Sequence, residues 1–347
     1  MALMCHIPVQ SSTPRSHSRH DSDSESLSSP GTSHSFDEDE VNSRTTPYWP
    51  KYQVLLELKG IHLDTHRDVQ EFYQQHCAKQ EPDNVHEITC QAGYINAFRC
   101  NDSDALCPDP GLPDNLFRGT RLRDGLKVIV KAVHLLSREF DIIRRLVLSP
   151  LRDDPTNHTI PVHELVEVPC DNIAFIVMEE WQSLYVIDPP CCLRNFLCAV
   201  RQCIEHVAFL HRNHIAHLDI SMRNLLTDNN GRYGYIDYEL SHQFEGVTNP
   251  MLCGYRGTEV APELENGEFG NPYKADVWAL GIFLLRCCKL TGYSTLELSS
   301  LVRRMLSTCP DERPSAAAAL EAFDATVPCI GEDRLQMSSF NSHHSHG

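Results

Sequence analysis

Apolar residues recur along the chain in two rhythms, and the change between them divides it. Asn115 to Thr120 and Leu126 to Val133 flank Arg123-Asp124-Gly125, and an Asp-Gly step between short apolar runs closes a β-hairpin. A helix is predicted to begin near Ser137, with Ile142, Ile143 and Leu146 on one face. Ala174 to Met178 is an apolar run short enough for a buried strand. Leu193, Phe196, Leu197, Val200, Ile204, Val207 and Leu210 then fall at helical spacing. Strands come first and helices later. That order predicts an α+β fold of two lobes, a small antiparallel sheet over residues 101–180 and a helical lobe over 181–330. The break between them falls near Glu179 to Pro190, and a cleft between lobes is a natural ligand site.

The flanks read differently. Residues 1–46 are rich in Ser, Thr, His and acidic residues and poor in apolar ones, so they cannot offset the entropy of ordering and are predicted to be disordered. Ser22, Ser24 and Ser35 precede acidic residues there and are candidate phosphorylation sites. Residues 331–347 are likewise predicted to be a disordered tail. Between 47 and 100 a helical extension is expected: Val54, Leu55 and Leu58 share a face, Gly60 ends that turn, and Thr65 caps a helix carrying Val69, Phe72 and Tyr73.

Composition narrows the partners. A net charge of -17 opposes attraction to nucleic acid or anionic membranes, so neither is expected as a partner. The N-terminus has no basic start followed by an apolar core, and apolar stretches such as Val277 to Leu285 are too short to span a bilayer. An intracellular protein, cytoplasmic or nuclear, is expected. The 15 cysteines include no C-x-x-C pair, which favours reduced thiols over disulfides or zinc. His211, His214 and His217, and His343, His344 and His346, lack accompanying ligands at metal-site spacing.

Chemistry enters at His217. The run His-Leu-Asp-Ile-Ser-Met-Arg-Asn from His217 to Asn224 resembles the catalytic loop of protein kinases, H-R-D-x-x-x-x-N. Tyr235-Ile236-Asp237-Tyr238-Glu239 stands where the metal-binding D-F-G belongs, and Val-Ile-Val-Lys ending at Lys131 resembles the V-A-I-K strand. Ala174 to Trp181 resembles the strand that enters the hinge. Ala261-Pro262-Glu263, Asp276 to Gly281, and the run ending at Arg313 follow in order. Together these matches cover roughly residues 105 to 325, which is hard to obtain by chance.

The resemblance implies a bilobal protein-kinase-like fold using ATP and Mg²⁺, with an unidentified protein or small-molecule acceptor. It implies that Lys131 approaches the nucleotide phosphates, paired with Glu139. Met178 would be the gatekeeper, with Glu179, Glu180 and Trp181 forming the hinge against the base. Asn224 and Asp237 supply hard oxygen donors suited to Mg²⁺, Asp219 orients the acceptor hydroxyl and takes its proton, and Arg223 stabilises the transferred phosphate. Glu263 is expected to pair with Arg313, Asp276 to hold the catalytic loop from behind, and His217 to scaffold it.

The departures matter as much. Nothing before Lys131 spells G-x-G-x-x-G, and only Gly111 and Gly119 lie nearby. Arg118, Arg121 and Arg123 are candidate substitutes by charge. Leu218 replaces the arginine that would clamp an activation-loop phosphate, although Ser241, Thr248, Tyr255 and Thr258 lie in that segment. Glu239 replaces a glycine, and the stretch from Lys289 to Leu296 is too brief for the usual helix after Gly281. The leading expectation is a Ser/Thr-type phosphotransferase. A pseudokinase scaffold without turnover is the alternative, and a small-molecule kinase of the choline or aminoglycoside type a third, opposed by Ala261-Pro262-Glu263 and the Asp276 helix.

Overall fold

The structure, a computed structural model, describes residues 45–79, 82–184, 190–254 and 256–338. The candidate phosphoserines, the last three histidines and Tyr255 lie outside them. A short 3-10 turn, Trp49–Lys51, leads into α1 (Gln53–Leu58), which Gly60 ends at φ 79°. The chain then forms β1 (Ile61–Leu63). Thr65 caps α2 (His66–Cys77): its hydroxyl accepts from the Asp68 amide while the Asp68 carboxylate accepts from the Thr65 amide. α3 (Pro82–Thr89) and α4 (Ala92–Arg99) follow. The predicted hairpin is β2 (Leu116–Arg121) and β3 (Leu126–His134), with Arg121 opposite Leu126. Ser137 caps α5 (Arg138–Leu146) through the Phe140 amide. β4 (Val162–Val168) and β5 (Ile173–Glu179) complete an antiparallel sheet ordered β1-β2-β3-β5-β4.

Alternation on β3 splits the apolar residues between two cores. Val128 and Val130 face outward, where Trp49, Tyr52 and Leu56 cover them with Phe117 and Phe175. Lys131 and Ile129 face the cleft.

Below the sheet, β6 (Gln182–Ser183) opens the second lobe, and α6 (Leu193–Arg212) runs through its core. The loop elements β7 (Ile215–Ala216), β8 (Leu225–Thr227), β9 (Tyr233–Tyr235) and β10 (His242–Gln243) lie at the top of this lobe. α7 (Pro262–Glu265), α8 (Pro272–Thr291), α9 (Ser299–Met305) and α10 (Ala316–Thr326) build the rest. After α8, Gly292 takes φ 75° and a single 3-10 turn, Leu296–Leu298, precedes α9, as the short spacing predicts.

Two sequence boundaries are corrected. Residues 47–100 are not a purely helical extension, because β1 joins the sheet edge with Ile61 opposite Arg121 and Leu63 opposite Gly119. A three-residue strand carries almost no periodic signal, and its partner lies far along the chain. Gly119 allows the approach, since a Cβ there would sit 2.6 Å from the His62 carbonyl oxygen. Consequently residues 64–115, including all of α2 to α4, form an insertion between the first two strands, with a small core of Tyr73, Ile88, Ala97 and Cys107. The second correction is α11 (Glu332–Leu335), inside the region expected to be a disordered tail. Leu335 is buried against the helical lobe, and Arg334 reaches Glu297 at 3.2 Å, which ties the segment down.

Candidate active site

A cavity of about 890 Å³ lies between the lobes, lined by Lys131, Glu139, Met178, Glu179, Glu180, Trp181 and Asp237 together with residues of the insertion. Lys131 Nζ donates to Glu139 Oε1 at 2.7 Å and to Asp237 Oδ1 at 2.9 Å. This joins the sheet, α5 and the loop after β9 at one ammonium group. Burial alone would favour the neutral amine, but the charges of Glu139 and Asp237 outweigh it and push the Lys131 pKa up. Asp237 is held below the usual carboxylate range, chiefly by Lys131. Glu139, 2% exposed, is pushed up by burial against the opposing pull of Lys131. The eight-residue interval from Lys131 to Glu139 therefore suffices to bring them together.

The catalytic-loop residues are organised from below. Asp276 is fully buried, and its carboxylate accepts from the His217 amide at 2.8 Å and the Leu218 amide at 2.7 Å. That grip holds Leu218 at φ 64°, a left-handed conformation costly for a leucine. His217 is buried, and its Nδ1 accepts from the Asp219 amide at 3.2 Å. Asn224 Nδ2 donates to Asp219 Oδ2 at 2.7 Å and to the Asp219 carbonyl at 3.0 Å, which leaves its amide oxygen unengaged by that contact. The Thr258 amide donates to Asp219 Oδ1 at 2.7 Å, so the segment before Ala261 packs directly on this carboxylate. Arg313 closes on Glu263 through two hydrogen bonds of 2.8 and 2.6 Å, both side chains buried.

Donor chemistry tests the site for a divalent cation. Asp237 carries a carboxylate held in its anionic form, and the Asn224 amide is oriented with nitrogen toward Asp219. Both are hard oxygen donors of the kind Mg²⁺ prefers, so their chemistry fits it, with Asp237 lining the cavity and Asn224 and Asp219 outside its lining.

Other expectations meet differences. Arg118, Arg121 and Arg123 do not offer free charge to phosphates: Arg118 contacts Asp109 and Glu180, Arg121 forks onto Asp124, and Arg123 is exposed beside the same Asp124. Strand alternation aims Arg118 alone of the three into the cavity, which sequence spacing could have shown once β2 was placed. Ser241 is no accessible phosphoacceptor, because it is buried and its hydroxyl donates to the His217 carbonyl at 2.8 Å. Leu218 sits in an apolar cluster with Ala216, Ala261 and Leu264 and itself offers a phosphate no charge. Arg223 is exposed on the catalytic loop and is not among the cavity-lining residues. The Trp181 indole bonds Glu179 at 2.9 Å and packs on Gly234 of the lower lobe.

Sequence reading missed the roof and a buried relay. Asp68, Val69, Phe72, Leu112 and Pro113 of the insertion line the cavity. Beneath Asp237, Tyr238 is fully buried, with its hydroxyl 3.0 Å from His206 Nε2 and 3.1 Å from Thr159 Oγ1. Hydroxyl and imidazole partners this far apart in sequence leave no local signal.

The family model described as protein kinase domain matches residues 193–296. CBL-interacting protein kinase 29 of Oryza sativa subsp. japonica is 34% identical over 102 residues, 29% of this chain and 22% of that protein. CBL-interacting serine/threonine-protein kinase 13 of Arabidopsis thaliana is 28% identical over 210 residues, 51% of this chain and 39% of that protein. A probable serine/threonine-protein kinase PLK of Dictyostelium discoideum is 38% identical over 150 residues, 35% and 15% of the two chains. The chain therefore covers well under two thirds of these relatives' lengths.

Proposed function

Because the chain belongs to the protein kinase-like superfamily, we propose that it transfers the terminal phosphate of ATP to a protein hydroxyl, in the manner of a serine/threonine kinase. The observation that carries this reading is the junction of Lys131, Glu139 and Asp237 at the cavity, in a chain that also bonds Asn224 to Asp219. Phosphoryl transfer asks a protein mainly to position groups and neutralise charge. Lys131, kept charged by two carboxylates, meets the phosphates from the sheet side. Asn224 and Asp237 would hold Mg²⁺, which neutralises charge on the phosphate oxygens when bound. Asp219 is held by the Asn224 amide and the Thr258 amide, so its carboxylate is fixed where an acceptor hydroxyl entering past Thr258 can be oriented and deprotonated. Arg223, on the open side of the same loop, is placed by the family pattern to meet the phosphate in transit.

A second reading, a binding module without turnover, is favoured by the roof, where an apolar helix face replaces a phosphate-binding loop. One experiment separates the two. Purified protein is incubated with Mg-ATP labelled in the terminal phosphate, beside Asp219→Asn and Asp237→Asn. Transfer by the wild type, reduced about 10²- to 10⁴-fold in Asp219→Asn, is the expected result. Equal labelling by all three proteins ends the enzyme reading, and nucleotide binding without transfer leaves the binding module.

A further inference from the structure

A second cavity, of about 130 Å³, lies inside the helical lobe. Its walls are α6, through Phe196, Ala199 and Cys203, and α8, through Phe283, Cys287 and Leu290. A thin partition separates it from the cleft. Gln182 and Ser183 of β6 pair with Thr227 and Leu226 of β8, and these four residues line the cleft. Their neighbours Leu184 and Leu225 line the lower cavity instead, and at Leu225 strand alternation requires it. Met222, which lies between Asp219 and Asn224 on the catalytic loop, lines it as well.

Among the described residues no charged side chain lines this cavity. The Thr291 hydroxyl on its wall donates to the Cys287 carbonyl at 2.8 Å. Burial pushes the Cys203 thiol and the Tyr233 hydroxyl up to about 12 and holds Cys287 well above the usual thiol range, so the wall is neutral and its thiols are poor nucleophiles. A buried water needs two to four polar partners, whereas an apolar cavity of about 150 Å³ stays dry and takes up benzene or xenon. Leu290, 46% exposed, marks the side from which solvent reaches the wall.

We propose that this cavity is a second ligand site, which takes an uncharged apolar molecule about the size of one aromatic ring, seated against Met222 of the catalytic loop and Leu225 of β8. Binding there removes apolar surface from water and breaks no hydrogen bond of the wall. The site is independent of the nucleotide reading, because none of its lining residues is shared with the cleft.

Benzene titrated into the full chain, labelled with ¹³C in its methionine methyl groups, tests this, with benzoate, the same ring bearing a carboxylate, as the comparison. Of the seven methionines, Met222 lines this cavity and Met178 lines the cleft. Met222→Leu and Met178→Leu assign the two signals. Benzene is expected to shift the Met222 methyl resonance saturably and to leave Met178 in place. Benzoate should leave Met222 in place, since an unpaired carboxylate is costly to bury. Ala199→Leu fills the cavity from α6 and should lose the Met222 response. Cys287→Leu fills it from α8 and carries the test if the first variant fails to fold. A Met222 signal that benzene does not move, as when the chain's own residues between Leu184 and Pro190 occupy the cavity, overturns the proposal. So does an equal shift with benzoate, or a shift that survives in both filled variants.

Discussion

The floor and the roof of the cleft are held by different physics. On the floor, Asp276, the Asp219–Asn224 pair and the Glu263–Arg313 pair make short, charge-assisted bonds, several fully buried, and the amides of His217, Leu218 and Asp219 meet a carboxylate or an imidazole. On the roof, an insertion with a small core of its own leans on ion pairs nearer solvent, Lys127–Asp64 and Arg118–Asp109. Buried networks tolerate little change, because one missing partner strands a desolvated charge. Exposed pairs contribute little and can be exchanged. A chain that keeps its floor while replacing its phosphate loop by helices therefore varies where variation is cheap.

That contrast predicts a ranking. The largest stability effect should follow Arg313→Met, which leaves the buried Glu263 carboxylate without its two-bond partner, at a cost of about 3–5 kcal/mol. Urea unfolding measures it, and a loss under about 1 kcal/mol would place this pair with the surface bridges and erase the distinction. Lys127→Met on the roof is the paired comparison and should cost less than Arg313→Met, because this lysine is 45% exposed and Asp64, though buried, keeps its hydrogen bond from Thr120. Next comes Gly119→Ala. Its Cβ would press on the His62 carbonyl at 2.6 Å, so β1 must shift, at about 1–3 kcal/mol of strain. Amide hydrogen exchange should show the loss confined to β1, β2 and the insertion. Equal loosening of α6 and α8 would mean that roof and floor unfold as one unit.

How much of this the sequence disclosed follows the same division. Lys131, Asp219, Asn224, Asp237, Glu263, Asp276 and Arg313 are legible because their spacing is set by backbone geometry that fixes residue type at each point. Glu139 is legible as well, through the Ser137 cap and the apolar face of α5. The roof is not. β1 is three residues long, the insertion returns to the sheet only at Leu116, and Arg118 looked like one of three exposed arginines until strand alternation separated it from its neighbours. The role of Tyr238 was hidden for a related reason, since its partners His206 and Thr159 come from elements distant in sequence that meet only in the folded chain.

That relay supplies the smallest and most specific prediction. The His158 amide donates to His206 Nδ1 at 3.0 Å, so in the neutral ring the proton lies on Nε2, directed at the Tyr238 hydroxyl, which in turn donates to Thr159. Burial, reinforced by His158 and His217, holds His206 well below the usual histidine range. An unfolded histidine titrates near pH 6.5. Below that value the unfolded chain takes up a proton that the folded chain refuses, so the stability due to the neutral ring is complete above it and falls with pH by just over 1 kcal/mol per unit. Urea midpoints measured between about pH 5 and 7 should therefore decline with acid in the wild type and decline less steeply in His206→Gln. The slope should not vanish, because His217, also buried and also lowered, acts in the same direction. Gly119→Ala should keep the wild-type slope, since the relay belongs to the floor. An unaltered slope in His206→Gln would show that the ring is protonated in the folded chain, and the orientation of Tyr238 beneath Asp237 would then need another cause.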